Sequence, residues 1–391
     1  MRLPGLAVLA ALVAGPALAE PQCGGDFGAF VDDLKAEAVE RGRDAGAVES
    51  FFANVSRDQR AISADRSQGV FQRPFLDFSR MLISQDRVAR GQRNAEAHGD
   101  LFDRIVAEHG VPRGILLAFW AFETDFGAVQ GDYNTANAIT TLAHDCRRPE
   151  LFRPQVFAAI ELYEQGGFDP ATTQGAWAGE IGQVQMLPSD ILDYGVDADG
   201  SGSVDLKTSV PDALVSGARL LRGKGWRPGE PWMHEVALPD DLDWSQTGLR
   251  TEMSVDDWRA RGVEPRHGSL PDGGLSASVI VPQGRGGPAF MVFDNFRVLF
   301  EWNESFIYVV TTAYFATRLE GAPVYDAGNP EPGLGPDRME ELQRRLEARG
   351  HDVGGVDGIL GARTREAVQT VQEELGLPAD AWPTPALLDR L

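Results

Sequence analysis

Apolar positions recur at helical spacing through most of the first 225 residues. Leu34, Ala38 and Val39 begin one face and Val48, Phe51, Phe52 and Val55 another, which predicts a mainly helical stretch from Phe27 to about Ile105. Val111 to Gly127 reads as a buried helix, nearly all apolar, with Pro112 suited to its first turn and Gly127 to its exit. Leu151 to Gln165 and Val210 to Gly225 are amphipathic helices. Between Arg227 and Phe293 the pattern changes: runs such as Ser276 to Val281 and Ala289 to Phe293 stand among Pro and Gly, predicting a few strands and long loops. Helical spacing returns from Glu304 to Leu319. Gly328 to Pro336 is a linker by composition. Beyond it, Met339, Leu342 and Leu346 on one face and Ala367, Val368, Val371 and Leu375 on another predict a compact helical unit, Asp337 to Leu391.

The 391 residues suffice for one large domain and a small one, and 43% apolar with 9% aromatic residues marks a folded chain. A formal charge of −22 argues against nucleic acid, which requires basic patches. At the start, Met1-Arg2, the apolar run Leu6 to Val13 and Ala17-Leu18-Ala19 fit a cleaved export signal spanning residues 1–19. Cys23 follows Glu20-Pro21-Gln22, which does not fit a lipid-anchor site, and no later stretch is apolar enough to span a membrane. Cys23 and Cys146 either bridge, as an oxidising compartment permits, or remain two buried thiols.

Metalloprotease, serine-hydrolase, P-loop and CxxC motifs are absent, and six scattered histidines show no ligand spacing. Three segments carry candidate chemistry. Glu123 lies in an apolar setting, with Phe119, Trp120, Phe126 and Gly127 at helical-neighbour spacing. Such surroundings strip water from a carboxyl, raise its pKa and keep a proton available for donation. The competing reading is a salt-bridged glutamate at a helix end, and Asp125, two residues on, reads as a local cap. The second segment runs from Gly175 to Ser189: small residues permit close backbone approach, Trp177 offers a stacking face, and Gln185 offers a donor and an acceptor. In the third, Asp197, Asp199, Ser201, Ser203 and Asp205 place oxygens in a loop with Gly202 at its sixth position, like a calcium loop. Thr208 stands where a bidentate glutamate is usual, so the loop either binds calcium weakly or is a turn that binds nothing.

From about Arg66 to Leu319 these segments together resemble the B-type membrane-bound lytic murein transglycosylases. The resemblance rests on Glu123-Thr124 with Phe126-Gly127, Asn134-Thr135 with Leu142, Arg147-Arg148, the Gly-x-x-Gln-x-x-Pro-Ser run ending at Ser189, and the Asp-rich loop. Asn295-Phe296 and Trp302-Asn303-Glu304-Ser305 with Tyr308 complete it. It implies a mainly α, lysozyme-like catalytic domain over residues 20–325 with a small β-containing insertion. It further implies a periplasmic enzyme that cleaves peptidoglycan glycan strands with one carboxylate, here Glu123, and no required cofactor. Ordinary glycosidases need a second carboxylate. In this family the 6-hydroxyl of N-acetylmuramic acid attacks its own anomeric carbon instead, leaving a 1,6-anhydro end. The resemblance places Gln185, Asn303, Tyr308, Trp177, Trp302 and Arg148 along the glycan groove, and a structural calcium on Asp197 to Asp205.

Three positions depart from the family pattern: Ala176 for a serine, Glu180 for a small residue and Met186 for phenylalanine. After the linker at 326–336, residues 337–391 resemble the small three-helix peptidoglycan-binding module through Gln343 to Leu346, Gly350, Asp357 to Gly361 and Thr364-Arg365 with Ala367-Val368. There Asp357-Gly358 makes a turn and Thr364 caps the next helix. The alternatives are a hydrolytic muramidase, for which Asp125 and Glu180 are the nearest second acids, and a wall-binding protein that has lost activity.

Overall fold

A computed structural model of the chain describes residues 23–67 and 69–391, so the expected export signal lies outside the described residues. The chain is mainly helical, with a small sheet inserted. Its amino-terminal helices are α1 (Phe27–Glu40), α2 (Ala45–Phe52), α3 (Gln59–Asp65), α4 (Phe75–Leu82), α5 (Gln85–Ala97) and α6 (Gly99–His109). On α1 the buried stripe is Phe30, Leu34 and Ala38; Val39, expected on that face, lies one position around and is exposed. α1 and α2 pack on α8 (Thr135–His144) and α9 (Pro149–Glu164) in one core, with Phe51, Ile139, Phe152 and Ile160 at its centre. Cys23 and Cys146 form a disulfide that holds the start of the described chain beside the end of α8.

The predicted buried helix is α7 (Arg113–Thr124). It follows Pro112, and its start is capped from a distance: Glu320 Oε1 accepts the Gly114 N–H at 2.8 Å, placing an anion where helix N–H groups lack partners. Glu320 terminates the helix Phe306–Leu319, against which α7 packs. Gly114 permits that approach, since a Cβ there would stand 2.7 Å from the Ala316 carbonyl. α10 (Pro188–Tyr194) and α11 (Val210–Gly223) close the same core.

Short strands β1 (Tyr133–Asn134) and β2 (Gln174–Gly175) pair beside this core. The insertion is an antiparallel sheet of β3 (Met233–Ala237), β4 (Met253–Ser254), β5 (Glu264–Pro265), β6 (Ser276–Ile280) and β7 (Ala289–Val292), in spatial order β4-β6-β7-β3-β5. Alternation along the strands serves two cores. Met233, Ile280, Phe290 and Val292 face the helical core, while Val236, Val279 and Met291 face a small core around Trp258, supplied by α12 (Val255–Ala260). Burial on both faces explains the continuous apolar runs. The chain returns to the helical core through α13 (Asp294–Val298) and α14 (Phe306–Leu319).

The carboxy-terminal unit has α15 (Pro336–Ala348), α16 (Ala362–Glu374) and a one-turn α17 (Pro385–Leu388). Buried Gln343 organises it: its Oε1 accepts the Asp357 and Gly358 N–H groups, and its Nε2 donates to the Ile359 carbonyl. Gly361, not Thr364, stands at the α16 N-cap. Thr364 lies inside the first turn, buried, and donates to the Val353 carbonyl at 2.9 Å. The Gly- and Pro-rich segment before α15 is no free tether. Asn329 N–H donates to the Gly286 carbonyl, and the Glu331 carbonyl accepts from Trp382 Nε1. The unit also docks on the insertion: Gln369 Nε2 donates to the Thr247 carbonyl at 2.8 Å, and Arg365 Nη2 to that of Pro282 at 2.6 Å.

Candidate active site

Glu123 sits in the last turn of α7. That helix stops at Thr124, earlier than Gly127, because Asp125 and Phe126 both adopt left-handed backbone with φ of 53° and 61°. Arg87 and Arg90 of α5 pair with the Asp125 carboxylate, which draws it away from Glu123. Phe126 therefore turns back edge-on to Trp120. Thr124 completes the turn, donating to the Gln183 carbonyl at 2.6 Å and accepting from Gly127 N–H. Trp120 Nε1 donates to Gln183 Oε1, so the end of α7 is bonded twice to the Gly175–Ser189 segment.

From the other side, α14 and the loop before it supply two donors to one oxygen. Tyr308 Oη and Trp302 Nε1 (3.2 Å) both donate to Glu123 Oε1. Trp302 is fixed by stacking on Phe119, with ring centroids 4.0 Å apart. Tyr308 is fixed by its place on α14, whose start is ordered by Asn303 Oδ1 accepting Ser305 N–H. No donor among the described residues reaches Oε2. The surrounding protein strips the Glu123 carboxyl of hydration and pushes its pKa up to about 7. Tyr308 and Trp302 oppose that rise, and the neighbouring Glu180 adds to it. The Tyr308 phenol is pushed well above its usual value by burial and by Glu123. The salt-bridged reading of Glu123 is thus excluded.

The Gly175–Ser189 segment is a tight double turn. Ala176 N–H donates to the Glu180 carbonyl at 2.9 Å, and Ile181 and Met186 bond each other. Gly175 is required because a Cβ would stand 1.9 Å from the Glu180 carbonyl oxygen. Gln185 lies at φ 55° and donates to the Gly182 carbonyl at 2.8 Å. Its amide N–H groups thus serve the turn. Arg148, with Arg147, pairs with buried Asp65, and its guanidinium lies over Phe152 and, at 6.0 Å, Trp177. Trp302 and Tyr308 therefore touch Glu123 directly, whereas the half-buried Gln185, Asn303 and Arg148 bond elsewhere, to Gly182, Ser305 and Asp65.

The acidic loop is built differently. Asp197 accepts from the Ser201 and Gly202 N–H groups, and Asp199 from Ser201 N–H and Ser209 Oγ. The Asp205 carboxylate accepts from the Lys207 and Thr208 N–H groups, and its backbone carbonyl from Ser209 N–H. Asp212, fully buried in the first turn of α11, accepts N–H groups from Ala198, Asp199 and Asp205. Carboxylate oxygens of Asp197, Asp199 and Asp212 lie within 4.8 Å of one another, the spacing of a shared cation. The Ser201 hydroxyl donates to the Ser203 carbonyl at 3.1 Å.

Residues 26–317 match the family described as Transglycosylase SLT domain, and residues 336–391 a putative peptidoglycan binding domain. The chain belongs to the SLT transglycosylase family. SltB3 from Pseudomonas aeruginosa, solved in complex with NAG-anhNAM-pentapeptide, is 37% identical, covers 94% of this chain and 99% of its own, and superposes with a TM-score of 0.85. Membrane-bound lytic murein transglycosylase B of Escherichia coli (strain K12) is 26% identical over 60% of this chain, which spans 64% of that relative. The Escherichia coli lytic transglycosylase Slt35, solved in complex with calcium, is 23% identical, covers 79% of this chain and 98% of its own, and shares the fold at a TM-score of 0.64.

Within this SLT transglycosylase, sequence reasoning missed the part taken by Asp212, four residues beyond the twelfth loop position. Its signal was available: an acid at N2 or N3 of a helix opened by Ser209 and Pro211. Nothing local marked Asp65, which holds both arginines of the Arg147-Arg148 pair from 82 and 83 residues away.

Proposed function

We propose that this transglycosylase cleaves the N-acetylmuramic acid–N-acetylglucosamine β-1,4 bond of peptidoglycan and leaves a 1,6-anhydro end, with Glu123 as its one catalytic carboxyl. The observation that carries this reading is the one-sided bonding of Glu123 in a desolvated pocket. Both protein donors hold Oε1, which leaves Oε2 to meet the substrate. A carboxyl with a pKa near 7 keeps a proton at neutral pH and readily takes one back. It first donates that proton to the glycosidic oxygen as the bond from the anomeric carbon breaks. The resulting carboxylate then accepts the 6-hydroxyl proton as that oxygen bonds to the same carbon. No water is consumed. Tyr308 and Trp302 stabilise the carboxylate formed between the two steps.

A hydrolytic muramidase needs a second acid to activate water. Asp125 is held by Arg87 and Arg90, and Glu180 Oε2 is closed off from solvent, so neither is placed for that task. Digestion of purified sacculi tests the assignment. Wild type is expected to release anhydro-ended muropeptides and Glu123→Gln only a trace of them; reducing-ended products from wild type would overturn it.

The periplasm is the compartment this substrate requires, reached through the cleaved signal at residues 1–19; amino-terminal sequencing of secreted protein should begin at Glu20. Among the described residues no helix is long and apolar enough to cross a membrane. The carboxy-terminal unit, docked instead of tethered, would hold the wall at a fixed position relative to the cleft. Calcium fits Asp197, Asp199 and Asp212, most of whose combined charge a divalent ion would offset. Ser201, Ser203 and Asp205 complete the loop around it. Heat of binding at millimolar calcium, lost in Asp199→Ala, is the expected calorimetric result.

A further inference from the structure

The carboxy-terminal unit has no part in the chemistry so far, yet one of its side chains lies against the turn that carries Tyr308. Arg365 and Gln369, one turn apart on α16, are buried polar residues on the face that the catalytic domain covers. Gln369 bonds the Thr247 carbonyl. The Arg365 guanidinium lies over the Phe306 ring, 4.5 Å from its centroid, and Nη2 donates to the Pro282 carbonyl at 2.6 Å. The Asp380 carboxylate nearby is occupied by Arg285 N–H, Gln372 Nε2 and Trp382 N–H. Arg365 Nε is buried with no hydrogen-bond partner, and burial pulls the guanidinium pKa down to about 9, so the group is charged at neutral pH but poorly compensated. Packing alone would be served at less cost by an apolar side chain of similar length.

Phe306 is the first residue of α14, and the two donors to Glu123 flank it in sequence: Trp302 stands before it and Tyr308 after it. Positions two apart on a helix lie about 200° around its axis, so Phe306 and Tyr308 occupy nearly opposite sides of one turn. Ser305 closes that turn, its Oγ accepting the Tyr308 N–H at 3.4 Å. Arg365 therefore sits behind the turn whose front presents the Tyr308 hydroxyl to Glu123 Oε1. We propose that the carboxy-terminal unit completes the catalytic centre, with Arg365 as a positioning residue that fixes the start of α14 and, through it, the Tyr308 hydroxyl on Glu123. This rests on the roles given to Glu123 and Tyr308. The cation over the ring and the bond to the Pro282 carbonyl restrain Phe306 from outside the catalytic domain. A close-packed interior transmits displacement, so a shift of that ring moves Tyr308 relative to α7.

The test is the steady-state kinetics of anhydro-product release from soluble glycan oligomers by the full chain. Arg365→Met is expected to lower kcat by about threefold or more, with KM changed by less than about twofold. In a Tyr308→Phe background the same substitution should change kcat by less than about twofold, because the group it positions is gone. Arg365→Lys, which keeps a cation for the ring, is expected to recover part of the rate. Gln369→Ala removes the bond to Thr247 without touching α14 and should leave kcat as in wild type. An unchanged kcat in folded Arg365→Met, a full effect that persists in the Tyr308→Phe background, or an equal loss in Gln369→Ala would each overturn the proposal. If Arg365→Met does not fold, Phe306→Leu carries the test: it removes the ring, leaves the Arg365–Pro282 bond, and should show the same loss of kcat and the same dependence on Tyr308. A wild-type rate in Tyr308→Phe would instead overturn the role given to Tyr308, so the two failures are distinguishable.

Discussion

The cleft and the acidic loop lie in one domain and use the same chemical group in opposite ways. Glu123 and Glu180 are carboxyls with few donors, and burial pushes both up. In the loop, Ser209 and the Ser201 N–H hold Asp199 below its usual range, and Thr208 and its neighbours hold Asp205 low against the effect of burial. The difference lies in the supply of N–H and O–H groups. A turn presents successive backbone donors to a short aspartate, whereas the end of α7 presents aromatic faces to a longer glutamate. One region stores a proton and the other stores negative charge.

The two regions should therefore answer pH with opposite signs. Glu123 has a folded pKa raised above its unfolded value, so its contribution is full at acid pH and is lost as pH rises through about 7. Asp199 and Asp205 have lowered values, so theirs is present above the ordinary carboxylate range and is lost as pH falls through the lowered values.

The largest break should come from Glu123→Gln, which removes the proton carrier. Release of muropeptides from sacculi is expected to fall by roughly 10²–10⁴-fold with the circular dichroism spectrum unchanged. The same variant should be more stable than wild type at about pH 8, by on the order of 2 kcal/mol in denaturant titration, and no more stable near pH 4. Equal stability at both would break the comparison on the cleft side. Asp212→Ala strikes the loop instead. Loss of an anion that accepts three backbone N–H groups is expected to destabilise by about 3 kcal/mol and to abolish calcium heat, with Glu123 chemistry less affected. Tyr308→Phe sharpens the cleft: removing a donor to the carboxylate raises the Glu123 pKa, so the alkaline limb of activity moves up while the maximal rate falls about tenfold. Ser209→Ala is the mildest. It removes the α11 cap and a donor to Asp199, with an expected loss of about 1 kcal/mol in thermal unfolding.

Much of the cleft was legible in the chain. The apolar run of α7 and the aromatic residues around Glu123 foretold a dehydrated acid, and the Pro and Gly boundaries foretold the sheet insertion. The exit of α7 was legible in part: Asp125 does cap the helix, but the left-handed backbone of Asp125 and Phe126, with Asp125 paired to Arg87 and Arg90, ends it before Gly127. The composition of the linker said tether, yet its backbone is bonded to Gly286 and Trp382, groups far from it in sequence.

Residue order alone determined which stretches carry helical or strand periodicity, that Glu123 sits among apolar neighbours and which loop is rich in carboxylates, since periodicity and local chemistry act over a few neighbours. Tertiary structure decided which oxygen of Glu123 is held, that Asp65 anchors Arg148 and that Asp212 joins the loop. Those are contacts between distant parts of the chain, and electrostatic effects depend on distances that no local pattern encodes.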